Sequence, residues 1–291
     1  MSGFLAQLAQ KAAERWLTQL LLPGVVFAAV STVTWLMDDP FDPRPAVSRI
    51  ETWLGGGPSG GMQALASAAF LAGAVMSGFA ARGLAHGVES LWFAARLGLP
   101  GRVLTAWRAA RWNRRHRKLD RAVIARYREG PGSPADPEAA LAARNRICLI
   151  PPERPTWMGD RMRAAGERVY LAYSLDLASL WPRLWLTVPD SVRVELATAR
   201  SAVTGDARLF AWGLLYLVPG TWWWPALLIP VPVCVIAVRR ARGSADVLGD
   251  LVESAVDLHG REVAERLGFT TDGTLAPDVG DEVRALLRKE Y

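Results

Sequence analysis

The chain has 291 residues, of which 51% are apolar and 13 are tryptophan, and its formal net charge at pH 7 is +6. Apolar residues collect in blocks near 17–37, 62–81 and 209–238, a pattern typical of a membrane protein rather than of a soluble globular one. The two cysteines, Cys148 and Cys234, are far apart, which excludes a disulfide framework and a cysteine-based metal site.

The first apolar block predicts a membrane-spanning helix over about 17–37. Trp16 and Trp35 would lie roughly 28 Å apart along that helix, close to the hydrocarbon thickness of a bilayer. The block is longer than a signal-peptide core and lacks a small-residue cleavage site, so we expect an uncleaved anchor. An interfacial helix is expected over 2–15 before it.

The second block predicts a span over about 62–81. Small residues recur at every fourth position and form one narrow stripe, which allows another helix to approach closely in lipid. The partner of that stripe is either a helix of the same chain or a second copy in a homo-oligomer. Arg82 follows at the inner end, where its side chain can reach the headgroups. The stripe consists of Ala69, Gly73, Ser77 and Ala81.

The third block, 209–238, predicts a membrane hairpin over 201–240. Arg208 precedes the block and Arg239 follows it, and a hairpin keeps both basic flanks on the same side of the membrane. Its first arm must then include Asp206 and Arg208. Ionisable groups at such a position are candidates for a functional role, and the structural alternative is an ion pair of Asp206 with Arg82 or Arg200.

These spans predict an all-α protein with four crossings of the inner (plasma) membrane and both termini in the cytoplasm. The N-terminal membrane hairpin covers 1–95, and a basic cytoplasmic helical region covers 96–200. The second hairpin covers 201–240, and cytoplasmic amphipathic helices cover 241–291. The excess of lysine and arginine in 96–200 places that region inside the cell.

The segment 101–128 carries ten Lys or Arg residues and one Asp, with an imperfect apolar face of Val103, Trp107, Leu119, Val123 and Tyr127. Three interpretations are open. The helix lies on anionic lipid headgroups, it pairs with acidic residues of 239–291, or it binds nucleic acid. Nucleic acid is the least favoured, because no recognised binding module accompanies the charge.

The stretch from Tyr173 to Asp190 is the most patterned part of the chain. Asp176 and Arg183 are seven residues apart and share one helix face, and Trp181 and Trp185 form an aromatic stripe. One hypothesis is a surface that docks a partner or lipid, since Trp and Arg are favoured at binding hot spots. The other is an internal Asp176–Arg183 ion pair with the tryptophans packed between the helices and the membrane interface.

Three short elements resemble a group of uncharacterised actinobacterial multi-span membrane proteins. They are "PTWMGD" from Pro155, "YSLDLASLWPRLW" from Tyr173 and "DLH" from Asp257. Asp160 replaces an Asn of the first element, and Ser174 replaces a Gly of the second. The resemblance covers about a third of the chain. It implies a membrane topology and no known activity.

No cofactor-binding or metal-binding pattern is recognised, and the three histidines lack metal-ligand spacing. His259 is interpreted as a packing or hydrogen-bonding residue. The chain is therefore expected to be a non-enzymatic membrane anchor or docking scaffold. An oligomeric channel or effector pore, based on the small-residue stripe and Asp206, is the alternative. A membrane enzyme acting at the cytoplasmic face, based on Asp160, Asp257 and His259, is the second alternative.

Overall fold

The computed structural model describes residues 22–37, 39–55, 59–130, 134–270, 273 and 275–289. Within these ranges the chain forms ten α-helices and no β-strand, so the all-α prediction is confirmed. The helices are α1 (Leu22–Leu36), α2 (Arg44–Leu54), α3 (Gly60–Phe93), α4 (Gly98–Glu129), α5 (Pro137–Asn145), α6 (Trp157–Tyr173), α7 (Leu177–Thr187), α8 (Asp190–Leu215), α9 (Pro230–Arg266) and α10 (Pro277–Arg288).

The chain divides into two compact units. The first unit contains the described residues of Met1–Val88 and Gly205–Arg239, and the second those of Glu89–Thr204 and Arg240–Tyr291. The apolar blocks of the sequence therefore fall mainly in the first unit, and the charged segments fall in the second.

Two helical stretches of the described residues are long and apolar enough to cross a membrane. They are Gly60–Phe93, which is α3, and Trp224–Arg266, which includes α9. The apolar helix α1 has 15 described residues, fewer than the ~20 that a span needs. Positions 17–21 of the predicted first span, and the predicted interfacial helix 2–15, lie outside the described residues. The four-span arrangement thus stays a prediction.

Within the first unit, α1 packs closely against α3 at a glycine. Gly24 is buried, and a side chain added there would collide with the backbone carbonyl of Ala74. Ser77 is buried next to this contact and donates a hydrogen bond to the Ala74 carbonyl oxygen at 2.8 Å. Half of the small-residue stripe, Ser77 and Ala81, is therefore buried inside the chain. Ala69 and Gly73 remain exposed, and a homo-oligomer contact through them stays a prediction.

The segment predicted as the second hairpin has the shape of a helix, a turn and a second helix. After α8 ends at Leu215, two short 3-10 turns, Pro219–Thr221 and Trp224–Leu228, lead into α9. The two arms are neighbours, because a Cβ on Gly213 would lie 2.8 Å from the Sγ atom of Cys234. Pro219, Pro225 and Pro230 lack a backbone N–H, so they interrupt the helical hydrogen bonds here and place the turn.

Aromatic residues join the end of α1 to this turn. The Trp222 indole N–H donates to the Thr34 hydroxyl at 3.2 Å, and the rings of Trp35 and Trp222 meet edge to face at 5.4 Å. The Trp223 indole N–H donates to the carbonyl oxygen of Pro40 at 2.9 Å. These contacts fix the end of α1 against the turn between α8 and α9.

The second unit has a continuous aliphatic core built by five helices. The core contains mostly valine and leucine side chains at positions spaced three or four apart, as expected for amphipathic helices. It comes from α6 through α10 and the loop before α7. Its members include Val169, Leu175, Leu180, Leu184, Val188, Leu196, Val203, Leu248, Val252, Val256, Val263 and Val283.

Candidate functional site

A large apolar groove lies in the second unit, with α6, α7 and α8 as its walls. Its volume is about 1370 Å³, above the ~300–1,000 Å³ of ordinary small-molecule pockets. Leu248 and Val252 of α9 contribute to its lining. The walls carry Met162, Gly166, Tyr170, Leu177, Trp181, Pro182, Trp185, Leu196 and Ala197, and charged residues of the lining include Arg163, Glu167, Asp176, Arg200 and Arg288.

The two tryptophans of α7 face this groove because of the helix period. Leu180 and Leu184 point into the core and are at most 1% exposed. Trp181 and Trp185 follow each of them by one position, so they are half-buried on the adjacent face, with ring centroids 6.1 Å apart. The two tryptophans therefore form the predicted aromatic stripe, and this stripe is part of the groove wall.

Asp176 starts α7 and pairs with the C-terminal helix. Its carboxylate accepts from the backbone N–H of Ala178 at 3.3 Å and lies 3.1 Å from the guanidinium of Arg288. Burial raises the pKa of Asp176, but hydrogen bonds from Arg288, Ser179 and the Ala178 amide outweigh it and lower the pKa below its ordinary value. Arg183 donates instead to the carbonyl oxygen of Ser179 at 3.0 Å, so the predicted Asp176–Arg183 pair is wrong.

The junction between α6 and α7 turns at a residue with positive φ. Ser174 adopts a left-handed conformation, with φ of 55°, and its backbone N–H closes α6 on the carbonyl oxygen of Tyr170. This is the helix C-terminal position at which glycine is most favoured, and serine occupies it here.

A buried arginine joins α6 to α9 beneath the groove. The guanidinium of Arg161 is 1% exposed and contacts three carboxylates of α9, namely Asp246 at 2.6 Å, Asp250 at 2.5 Å and Glu253 at 3.0 Å. Burial lowers the pKa of Arg161, but these hydrogen bonds and charges raise it further than burial lowers it. The absence of a side chain at Gly249 leaves space for the Arg161 guanidinium, because a Cβ there would lie 2.7 Å from the guanidinium carbon.

Sequence reasoning did not find this cluster. The available signal was the spacing of the three acids, four and then three positions apart, on one face of a helix and around a glycine. One interpretation paired the acids of 239–291 with the basic segment 101–128. The acids at this site pair instead with Arg161 of α6.

A second buried ion pair holds α4 to the first turn of α6. Asp160 is fully buried and accepts from the Arg108 guanidinium at 2.6 Å and from the backbone N–H groups of Glu153 and Arg154 at 3.0 and 2.9 Å. Thr156 accepts from the Gly159 N–H at 3.1 Å and thereby caps α6. The "PTWMGD" element thus has a structural role in capping and anchoring.

The three residues of the enzyme hypothesis have separate partners. Asp160 bonds Arg108, Asp257 accepts from the Tyr173 hydroxyl at 3.0 Å, and His259 Nδ1 lies 3.5 Å from Glu262. The Tyr173 pKa is raised by its partial burial and, secondly, by the bond to Asp257. No group of His, Cys, Asp and Glu side chains in the described part of the chain could hold a metal ion.

The predicted polar residues of the membrane region lie in the first unit. Asp206 is 2% exposed, Arg208 is half-buried, and Arg82 is exposed. Arg200, one predicted partner of Asp206, forms an ion pair with Glu89 instead. Its guanidinium also lies over the ring of Phe93, at 5.5 Å from the centroid.

The basic helix α4 is continuous over its 32 residues, but the five residues of its predicted apolar face do not share one face. Leu119 is buried, whereas Val103, Trp107, Val123 and Tyr127 are exposed. The buried positions include Arg108 and Trp112, which anchor the helix. All the other Lys and Arg residues of 101–128 are exposed.

No family model, curated protein or solved structure matches this chain. The resemblance to actinobacterial membrane proteins rests on its short elements and stays a prediction. The function is therefore argued from the groove and the surfaces of the molecule.

Proposed function

We propose that this protein is a non-enzymatic, membrane-anchored docking scaffold. The apolar helices hold it in the inner membrane by four crossings, with both termini in the cytoplasm. The second unit then presents its groove to an amphipathic helix of a protein partner. The groove is the observation that carries this function.

The exposed faces of the apolar helices support the membrane anchor. Only 22% of the apolar window in each of the two candidate spans is buried within the structure, whereas a core helix of a soluble protein is mostly buried. Large apolar side chains such as Leu65, Met76 and Val231 are 72%, 67% and 67% exposed. Large exposed apolar side chains on such helices suit lipid as the surrounding solvent.

The dimensions and lining of the groove favour a helix as the occupant. The wall helix α7 has 11 residues and is about 16 Å long, which matches three turns of a partner helix. Tryptophan, methionine and arginine line the walls, and these residue types are enriched in protein interfaces. A helix bound in such a groove would use apolar anchors three and four residues apart.

The charges at the rim favour a partner of mixed charge over a phosphate or another strongly acidic ligand. Arg288 pairs with Asp176 at 3.1 Å, and Arg163 pairs with Glu167 at 3.3 Å. Arg200 pairs with Glu89. Three of the four arginines that line the groove are thus matched by a carboxylate, and the fourth, Arg154, donates to the Phe93 carbonyl oxygen at 3.0 Å. Most of the positive charge at the groove is therefore already neutralised within the chain.

A site-specific crosslink tests the occupant. A photo-reactive phenylalanine analogue at Trp185 is irradiated in native membranes, and the crosslinked peptide is sequenced. We expect a peptide of another protein with apolar residues at helical spacing. Adducts to lipid or to this chain, or no adduct, would overturn the proposal.

A filled groove provides the decisive control. Gly166 lines the groove, and a Cβ there would meet only Leu177 at 3.9 Å, so Gly166→Leu fills the groove without a backbone clash. Leucine also favours helix by about 1 kcal/mol over glycine, so the variant should fold. We expect it to lose the crosslink. Gly243→Leu, at an exposed glycine of α9 with open space around it, should keep the crosslink.

A further inference from the structure

The inner face of α4 fixes how this helix is oriented in the second unit. Arg108 donates to Asp160 at 2.6 Å and to the carbonyl oxygen of Thr156 at 2.7 Å. One turn later the Trp112 indole N–H donates to the carbonyl oxygen of Cys148 at 2.9 Å. With Gly101 and Leu119 also buried, these contacts hold one face of the helix inward over most of its length.

The opposite face is apolar in its first half. Leu99, Val103 and Trp107 follow each other at four-residue spacing, and their exposed fractions are 75%, 70% and 58%. They form a short outward stripe, because residues four apart lie one above the other on a helix. An aliphatic pair beside an exposed indole is typical of a helix that enters the headgroup region of a bilayer.

The same face becomes basic in its second half. Arg114 lies two turns after Trp107, and the exposed cations that continue the stripe are Arg114, Arg117, Lys118 and Arg121. The acids on α4 are Asp120 and Glu129, so positive charge dominates the helix.

We propose that this outward face of α4 binds an anionic lipid surface. Leu99, Val103 and Trp107 insert at the boundary between headgroups and acyl chains, and the basic half contacts lipid phosphates. A bilayer offers both an apolar and an anionic layer along one surface, which matches the two halves of the helix. A nucleic acid offers phosphates but no partner for the aliphatic side chains. The proposal is independent of the groove and of its occupant.

The first experiment reports the surroundings of Val103. The full chain, with Cys234→Ser, carries an environment-sensitive dye on Val103→Cys in proteoliposomes of phosphatidylcholine, with or without phosphatidylglycerol. The emission should shift to the blue only when phosphatidylglycerol is present. The matched control is Leu258→Cys, because Leu258 is also 75% exposed, and its dye should not shift. No shift at position 103, or an equal shift without the anionic lipid, would overturn the proposal.

The second experiment removes positive charge from the outward face of α4 and leaves the buried inner face unchanged. In the triple variant Arg114→Gln, Arg117→Gln and Arg121→Gln, the ratio of lipid-bound to free helix should fall about a hundredfold, because each basic residue near an anionic surface strengthens binding by about fivefold. The triple Arg→Lys variant at the same positions should restore binding. An unchanged ratio in the glutamine variant would contradict lipid binding. So would a blue shift produced by duplex DNA without anionic lipid.

Discussion

Replacing Gly249 by alanine tests the buried arginine cluster, because the cluster decides whether this substitution stabilises or destabilises the protein. In an ordinary helix interior, Gly→Ala stabilises by about 1 kcal/mol because alanine is the better helix former. Here the new methyl would lie 2.7 Å from the Cζ and Nη1 atoms of Arg161. The guanidinium is flexible in general, but three carboxylates hold this one, so it cannot withdraw without loss of contacts.

The size of the destabilisation depends on which contact of Arg161 is lost. Asp246 and Asp250 are more than half exposed, so their ion pairs with Arg161 contribute little to stability. The side chain of Glu253 is only 11% exposed, so its contact with Arg161 contributes more. Losing one buried hydrogen bond between charged groups costs about 1.5–3 kcal/mol. After the helix-propensity gain is subtracted, Gly249→Ala should destabilise the protein by roughly 0.5–2 kcal/mol.

A double-mutant cycle isolates the cause. In an Arg161→Met background the guanidinium is absent, and the same Gly249→Ala change should stabilise by about 1 kcal/mol. Thermal unfolding in mild detergent, followed by near-ultraviolet circular dichroism, measures all four proteins. If Gly249→Ala stabilises the otherwise unchanged protein, the reasoning about the cluster is refuted.

Four other predictions follow from single contacts. Asp160→Asn removes the charge opposite buried Arg108 and should destabilise the protein by about 3 kcal/mol in the same unfolding assay, and an unchanged midpoint would contradict a buried ion pair. Ser174→Gly should stabilise by about 1 kcal/mol because it relieves a left-handed serine, and a loss of stability would contradict that backbone conformation. The Asp176 pKa is lowered in the folded state, so its contribution is present above about pH 4 and is lost as the pH falls through the folded value. In Asp176→Asn the free energy of unfolding should therefore fall less steeply as the pH is lowered below about 4. An unchanged pH dependence would contradict the pair with Arg288. For the pore alternative, the scaffold hypothesis expects no ion leak from reconstituted protein with or without Asp206→Ala, and a leak that depends on Asp206 would favour a pore.

Local patterns were the part of the fold that the sequence could predict. Hydrophobic period located the helices, and the proline and tryptophan run located the turn between α8 and α9. The aromatic stripe of Trp181 and Trp185 also follows from spacing, because residues four apart share a helix face. These features depend on neighbours within a few residues.

Long-range partners could not be predicted in the same way. Spacing paired Asp176 with Arg183, but the actual partner is Arg288, 112 positions away in the chain. Likewise Arg108 meets Asp160 across 52 positions, and Arg161 meets Glu253 across 92. Helix periodicity states which face a residue occupies and contains no information about which other helix packs there. The exposed face of α4 could not be predicted for the same reason, because the contacts of Arg108 with distant residues decide which side of the helix is buried.

Labelling of introduced cysteines in intact cells tests the membrane anchor most directly. Cys234 is replaced by serine, and Cys148 is kept because it is only 2% exposed. A membrane-impermeant maleimide should then modify Glu51→Cys from outside the cell. It should modify Leu258→Cys only after the membrane is opened. Labelling of position 258 in intact cells would contradict the account, and so would recovery of the intact chain from a detergent-free high-speed supernatant.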